Sequence, residues 1–312
     1  MLVLLNRIIL TILISIITTL SFADDQHSHG ANTNYLNTDW SFKGIFGTFD
    51  RASLQRGYQV YQEVCAGCHS VQHLSYRNLS EKGGPEFSIE EAKAIAAQFE
   101  IEDGPNSDGE MFMRPARLAD KFAKPYPNVQ ASTAANGGAY PPDMSVLTKA
   151  RAGGADYIYS LLLGYEEAPP GLELDDGVYY NKYMEGKKIK MSNPLSDGIV
   201  TYADGTESTE SQMAKDVTAF LTWAAEPTLE ERHKMGVRVI IFLIIFTIAL
   251  FGPKTNFVSV LQSMITEGKY KIQDNYIVTT IKWFSILVIV SAGIIGVQEL
   301  LGIPIEQPEA PN

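Results

Sequence analysis

The sequence predicts an all-α, loop-rich globular domain followed by an apolar C-terminal anchor, and three observations carry that prediction. Residues 24–233 are polar and repeatedly broken by Gly and Pro. Where apolar residues recur in that stretch, they recur at helical spacing rather than in strand alternation. After Pro227 the composition changes to long apolar runs of the kind that bilayers accept.

With 312 residues, 45% of them hydrophobic and 20% charged, the chain can bury the core of one or two domains. The formal net charge of -11 is spread along the middle of the chain, so the folded part presents an acidic surface and nucleic acid is excluded as a partner. Acidic residues gather over 81–110, at Glu166-Glu167, over 173–176 and over 204–210. Such faces either steer a basic partner or simply keep a protein soluble.

Residues 1–23 have the form of a signal peptide: Arg7, the apolar run Ile8 to Leu20, then the small residues Ser21 and Ala23. An uncleaved N-terminal anchor is the competing reading. The stretch lacks the Arg- and Ser-rich amphipathic character of an organelle leader, which points to a bacterial source. His27 and His29 next to Asp24 and Asp25 read as a flexible mature N-terminus, and His73 and His233 as surface residues.

Within the globular part, turns fall at Gly83-Gly84-Pro85, Tyr140-Pro141-Pro142-Asp143 and Pro169-Pro170-Gly171. Asp50 can cap a helix whose one face carries Leu54, Tyr58, Tyr61, Val64, Cys65 and Cys68. A second helix spans Asp156 to Leu163, and a third starts at Thr209, with Gln212 completing a capping box. The apolar face of the third is Val217, Phe220, Leu221 and Ala224.

The run Val239 to Phe251, closed by Gly252-Pro253, is short for a bilayer core that takes roughly 20 helical residues. Counted from Met235, with Arg238 reaching to the interface, it becomes an anchor over 235–252. A second apolar stretch, 276–301, either spans as well or lies as an interfacial helix, with Tyr276 and Trp283 as interfacial aromatics. The connection 253–275 carries Lys254, Lys269 and Lys271, and the tail 302–312 has no basic residue. The positive-inside rule then places the connection in the cytoplasm and both ends outside.

Cys65-Ala66-Gly67-Cys68-His69 holds the only two cysteines of the chain. This is the C-x-x-C-H pattern of covalent haem attachment: two thiols on one turn can add to one porphyrin, and the next imidazole can bind the iron. The competing uses are a redox disulfide or half of a zinc site, and the latter lacks a second cysteine pair. His69 leaves the opposite axial position open, and a methionine sulfur there gives an electron carrier rather than a catalyst. Met111, Met113, Met144, Met184, Met191 and Met213 all remain candidates on spacing alone.

Several segments together resemble the cytochrome c1 family. They are Trp40-Ser41-Phe42, Phe49-Asp50-Arg51, Arg56-Gly57-Tyr58-Gln59-Val60-Tyr61, Met113-Arg114-Pro115, Lys124-Pro125-Tyr126-Pro127-Asn128 and Ala134 to Asp143. Asp156-Tyr157-Ile158, Ala214-Lys215-Asp216-Val217, Trp223 to Pro227 and Met235-Gly236 continue the likeness, which covers Trp40 to Phe251. The resemblance implies a class I c-type cytochrome domain over 24–233 with one covalent haem c. It implies Met191 as the distal ligand, since the family places this Met shortly after a segment that reads here Tyr179-Tyr180-Asn181, with Met184 second. It further implies that Arg151 and Tyr157 serve the haem propionates, that Asn136 lies near one of them, and that Pro141 and Pro142 pack on the ring. Ala152 stands where the family often has His, so a second donor there is not expected, and the 276–301 stretch departs from the family pattern.

The family's role implies that electrons arrive from a Rieske iron-sulfur protein and leave to a cytochrome c. The setting would be a dimeric complex with cytochrome b in a bacterial inner membrane, with the haem domain in the periplasm. A haem enzyme with an exchangeable distal position, or a haem subunit of another oxidase complex, are the alternatives.

Overall fold

The computed structural model describes residues 35–247. The signal peptide 1–23, the last part of the 235–252 anchor, the 253–275 connection, the 276–301 stretch and the 302–312 tail lie outside the described residues. The chain divides into two units, Met1–Val239 and Ile240–Asn312.

Helix α1 (Arg51–Val60) starts where Asp50 turns its carboxylate onto the N–H groups of Ala52 at 3.0 Å and Ser53 at 3.5 Å. It runs on into a π-helical turn, Tyr61–Cys65, whose wider winding shows in the 2.7 Å bond from Ala66 N–H to the Tyr61 carbonyl. The extra residue in that turn rotates Cys65 relative to an ideal α-helical face. The first cysteine therefore leaves the helix in a way that an unbroken 3.6-residue period does not anticipate.

Four further α-helices follow: α2 (Ile89–Ala96), α3 (Val129–Ala135), α4 (Leu147–Ala150) and α5 (Gly154–Leu162). Helix α5 starts two residues earlier than the Asp156 boundary because Gly153, at φ 87°, supplies the left-handed turn from which it launches. The domain is helix-rich but not strictly all-α. Strands β1 (Glu100–Asp103) and β2 (Phe112–Pro115) pair antiparallel, as do β3 (Tyr179–Tyr180) and β4 (Lys188–Ile189). Pairs this short carry too few alternations to register as strand pattern in the sequence.

Helix α6 (Glu210–Ala225) crosses α1 and fills the core with Met213, Val217, Phe220, Leu221 and Trp223, none more than 2% exposed. Thr209 caps it, its hydroxyl accepting Gln212 N–H at 3.2 Å. The expected return half of a capping box gives way to another bond: Gln212 turns its amide to the Asp216 carboxylate at 3.0 Å, where a buried charge needs donors. Gly57 lets the helices touch, since a Cβ there would collide with the Asp216 carbonyl and stand 2.8 Å from Phe220 Cβ. Around the crossing Tyr61 stacks on Phe220 at 5.6 Å and Tyr76 on Phe122 at 4.8 Å.

After α6 the chain is helical again over 229–247, with Leu229 and Glu230 buried and residues 234–236 and 238–247 exposed. Val239 to Phe246 are all large apolar side chains open to their surroundings. Among the described residues no helix is long and apolar enough to cross a membrane.

Glu230 ties the start of this helical stretch to α1, accepting Phe49 N–H at 2.9 Å and the Arg51 guanidinium at 2.7 and 2.9 Å. Burial alone would push its carboxyl up, but Arg51 and the Phe49 amide outweigh that and hold it below the usual range. A carboxyl lowered on folding contributes stability above its unfolded value of about 4.5, lost as the pH falls through the folded value. Glu230→Gln is therefore expected to flatten the loss of stability below pH ~4.5 in a thermal-unfolding series. An acid limb as steep as that of the parent would assign the effect to other carboxylates.

Candidate functional site

Cys65 and Cys68 are not joined to each other, and the turn that carries them closes through Cys68 N–H and His69 N–H, both onto the Cys65 carbonyl, at 3.1 and 2.9 Å. Burial pushes the Cys65 thiol up to about 12, with Cys68 adding to it. A thiol held protonated is a poor exchange nucleophile, which speaks against a redox disulfide. Among the described residues no group of three or more His, Cys, Asp or Glu is placed to hold a metal ion.

His69 places its Nδ1 2.8 Å from the Pro142 carbonyl. A carbonyl only accepts, so Nδ1 carries the hydrogen and Nε2 keeps its lone pair free. Desolvation lowers the His69 pKa against the opposing pull of that bond, so the ring is neutral at physiological pH. An imidazole so fixed is the form that binds a metal, with the orienting bond on the far nitrogen.

The Pro142 carbonyl is itself held by a clamp that sequence reading did not single out. Asp143 Oδ2 accepts Ser70 Oγ–H at 2.7 Å and Gln72 N–H at 3.0 Å, while its Oδ1 accepts Ser145 N–H at 2.9 Å. Met144 N–H adds a bond to the Ser70 carbonyl at 2.8 Å, and Ser145 Oγ takes His73 N–H at 3.0 Å. The only local signal was the Pro-Pro-Asp turn, in which Asp bonds the backbone two residues on. Its partners lie more than 70 positions away. Asp143→Ala strands buried donors and is expected to cost about 1–3 kcal/mol in denaturant unfolding. A cost below ~0.5 kcal/mol would show that the clamp does not hold the segment.

Beside Cys68 opens a cavity of about 220 Å³, walled by the 124–129 segment, Ser70, Gln72, Ser132, Tyr140 and Pro141. Pro141 and Pro142 thus flank the attachment turn, one on the cavity and one on His69. Asn136 ends α3, donating from Nδ2 to the Ser132 carbonyl at 2.7 Å. The glycine turn after it is joined to the Met191 segment by Lys190, whose ammonium meets the Gly137 carbonyl at 3.3 Å. Met191 follows β4, and its own carbonyl accepts the Tyr165 hydroxyl at 3.0 Å.

Arg151 is exposed and lies against Tyr157, whose hydroxyl burial pushes up and Arg151 pulls down. The same hydroxyl points at the Met184 sulfur, 3.6 Å away. The structure therefore gathers Cys65, Cys68, His69, Pro141 and Pro142 in one neighbourhood, pairs Arg151 with Tyr157, and links the Asn136 turn to Met191. This donor set suits a haem: two free thiols three positions apart, an imidazole with its Nε2 free, and prolines at its side.

The model of the Cytochrome C1 family matches residues 40–260. A "Cytochrome b/c1" of Bradyrhizobium diazoefficiens is 49% identical over 69% of this chain and 34% of its own length, so the chain spans about a third of that relative. "Cytochrome c1-2, heme protein, mitochondrial" of Solanum tuberosum is 50% identical over 70% of this chain and 82% of its own. "Cytochrome c1" of Rhodospirillum rubrum is 46% identical over 69% and 84%. The match takes in the attachment turn, the Asp143 clamp, β3–β4 and α6, and on that breadth the chain belongs to the cytochrome c1 family.

Proposed function

We propose that the chain is the haem-bearing electron-transfer subunit of a ubiquinol-cytochrome c reductase. In this reading a Rieske iron-sulfur protein delivers single electrons and a cytochrome c removes them, in a dimeric complex with cytochrome b. The observation that carries the reading is the His69–Pro142 bond, which presents a neutral Nε2 one residue from a free cysteine pair. The haem, one per chain and covalently held by Cys65 and Cys68, supplies a one-electron couple at its iron.

The residues of the chain supply the rest. His69 would hold the haem iron from one face, kept in its binding tautomer by Pro142 and the Asp143 clamp. Met191 would hold it from the other, in a class I c-type domain over 24–233. Its segment is carried on β4 and tethered through Tyr165 and Lys190, whereas the Met184 sulfur is engaged by Tyr157. Arg151, Tyr157 and Asn136 are donors for the propionate edge, and Pro141 and Pro142 close the crevice to water. The exposed apolar residues Val239–Phe246 support an anchor over 235–252 in the inner membrane, with the haem domain periplasmic after removal of 1–23.

A reduced-minus-oxidised visible spectrum of the tagged chain, extracted from its native membrane in mild detergent, tests the assignment. Haem c together with b-type haem is the expected result. Haem c alone, from an intact extract, would move the chain to an oxidase subunit or a free carrier.

A further inference from the structure

The loop from Lys43 to Gly47 carries the two most exposed large apolar side chains of the described residues, Ile45 at 68% and Phe46 at 81%. Single exposed apolar residues are ordinary, but these two are adjacent and held outward by their surroundings. Trp40, Phe42 and Phe49 on either side are all at most 6% exposed, with Phe42 packed on both Trp40 (5.3 Å) and Phe49 (5.1 Å). The chain thus dives into the core, emerges for one turn and returns. That turn is tight: Gly44 sits at φ +87°, and a Cβ on Gly47 would collide with the Phe42 carbonyl.

The loop is also fixed to the start of the apolar helical stretch. His233 donates from Nδ1 to the Gly47 carbonyl at 3.1 Å, and Glu230 accepts Phe49 N–H at 2.9 Å. Two residues past His233 the exposed apolar side chains begin with Met235, and they become continuous at Val239. At 1.5 Å per residue, the six residues from His233 to Val239 advance about 9 Å along the helix. The polar layer between water and the hydrocarbon core is roughly 5–8 Å deep on each side of a bilayer. Residues pinned level with His233 therefore fall at the outer edge of that layer, from which large apolar side chains reach inward.

We propose that Ile45 and Phe46 insert into the lipid interface, as a second, non-helical membrane contact of the haem domain. This contact lies beside the start of the exposed apolar stretch and is joined to it through His233 and Glu230. Lys234 and Arg238, both exposed on the same stretch, suit the phosphates of the headgroup layer. The inference rests on the membrane-anchor reading of 235–252, and the experiment separates the two.

A fluorescent amino acid is placed by suppression at position 46, at 239 or at 199, one per preparation. The full-length chain in its native complex is then reconstituted in phosphatidylcholine nanodiscs with or without nitroxide-labelled lipid. Ile199 is exposed, and the neighbouring Thr201 carbonyl holds Gln59, at the opposite end of α1 from Arg51. The expected result is lipid-dependent loss of emission at 46 and 239 and none at 199. Loss at 239 without loss at 46 overturns the inference and leaves the anchor standing. Iodide in the water then tells whether position 46 faces solvent, where it is quenched, or a neighbouring subunit, where neither agent reaches it. No loss at 239 overturns the anchor and the inference together, and equal loss at 199 overturns the inference as unspecific.

Discussion

Met191→Leu lowers the reduction potential and lets the reduced haem bind carbon monoxide. Leucine keeps the volume and apolar character of the side chain, so packing changes little while the sulfur is removed. Thioether ligation favours the reduced iron, and axial ligation as a whole spans roughly 0.8 V, so a fall on the order of 0.1 V or more is expected. At 59 mV per tenfold, that shift alone moves the one-electron equilibrium with any fixed partner by well over one order of magnitude. Met184→Leu serves as the matched control. Its sulfur accepts the Tyr157 hydroxyl, so its loss costs one weak bond and leaves the potential where it was. A potentiometric titration and a carbon monoxide difference spectrum decide the matter. An unchanged potential and a closed sixth position in Met191→Leu would remove Met191 from the assignment, and the same changes in Met184→Leu would transfer the role.

What the sequence revealed about this fold follows the range of the interactions. The Asp50 cap, the Leu54–Tyr58–Tyr61 part of the expected apolar face and the start of α6 are local signals that the structure has, whereas Cys68, expected on the same helical face, lies exposed beyond the helix. The π-helical turn at Tyr61–Cys65 has no such signal, because it arises where α1 must deliver Cys65 to a site while keeping Tyr61 against Phe220. Strand pairs of two and four residues are made by their partners rather than by alternation within themselves.

The site divides in the same way. The attachment motif is contiguous and could be read directly, whereas Asp143 reaches Ser70 and Gln72 across more than 70 residues, and only the folded chain shows that it orients the Pro142 carbonyl. Met191 has no local mark at all among the methionines of the domain, and its assignment rests on resemblance to a family. Gln212 shows a local signal overruled: its amide leaves the helix end and adds a further donor to the buried Asp216 carboxylate, a partner that the sequence does not mark.

That buried charge makes Arg56→Met the second large effect, this time on the fold that presents the cysteines. Asp216 lies in the α1–α6 crossing with a side-chain exposure of 0%. Its oxygens accept Arg56 Nε at 2.8 Å and Nη2 at 3.1 Å, Ser53 Oγ at 2.7 Å and Gln212 Nε2 at 3.0 Å. The carboxylates of Asp216 and Asp204 raise the Arg56 pKa further, so the guanidinium stays charged. Methionine in place of Arg56 leaves the carboxylate with two neutral donors and no counter-charge, a change that typically costs 3–5 kcal/mol. In a domain of this size that is about 6–20 °C in Tm, and a large part of the 5–15 kcal/mol that folded domains possess. Because α1 ends at the attachment turn, the yield of covalently loaded protein is expected to fall with it. Arg56→Met with Asp216→Leu removes both charges and recovers much of the loss, since an apolar pair of similar volume can replace a buried ion pair at little cost. Thermal unfolding followed by the fluorescence of buried Trp223 measures all three proteins. A single variant within about 1 kcal/mol of the parent, or a double variant worse than the single, would show that the crossing is held by its aromatic packing and not by this pair.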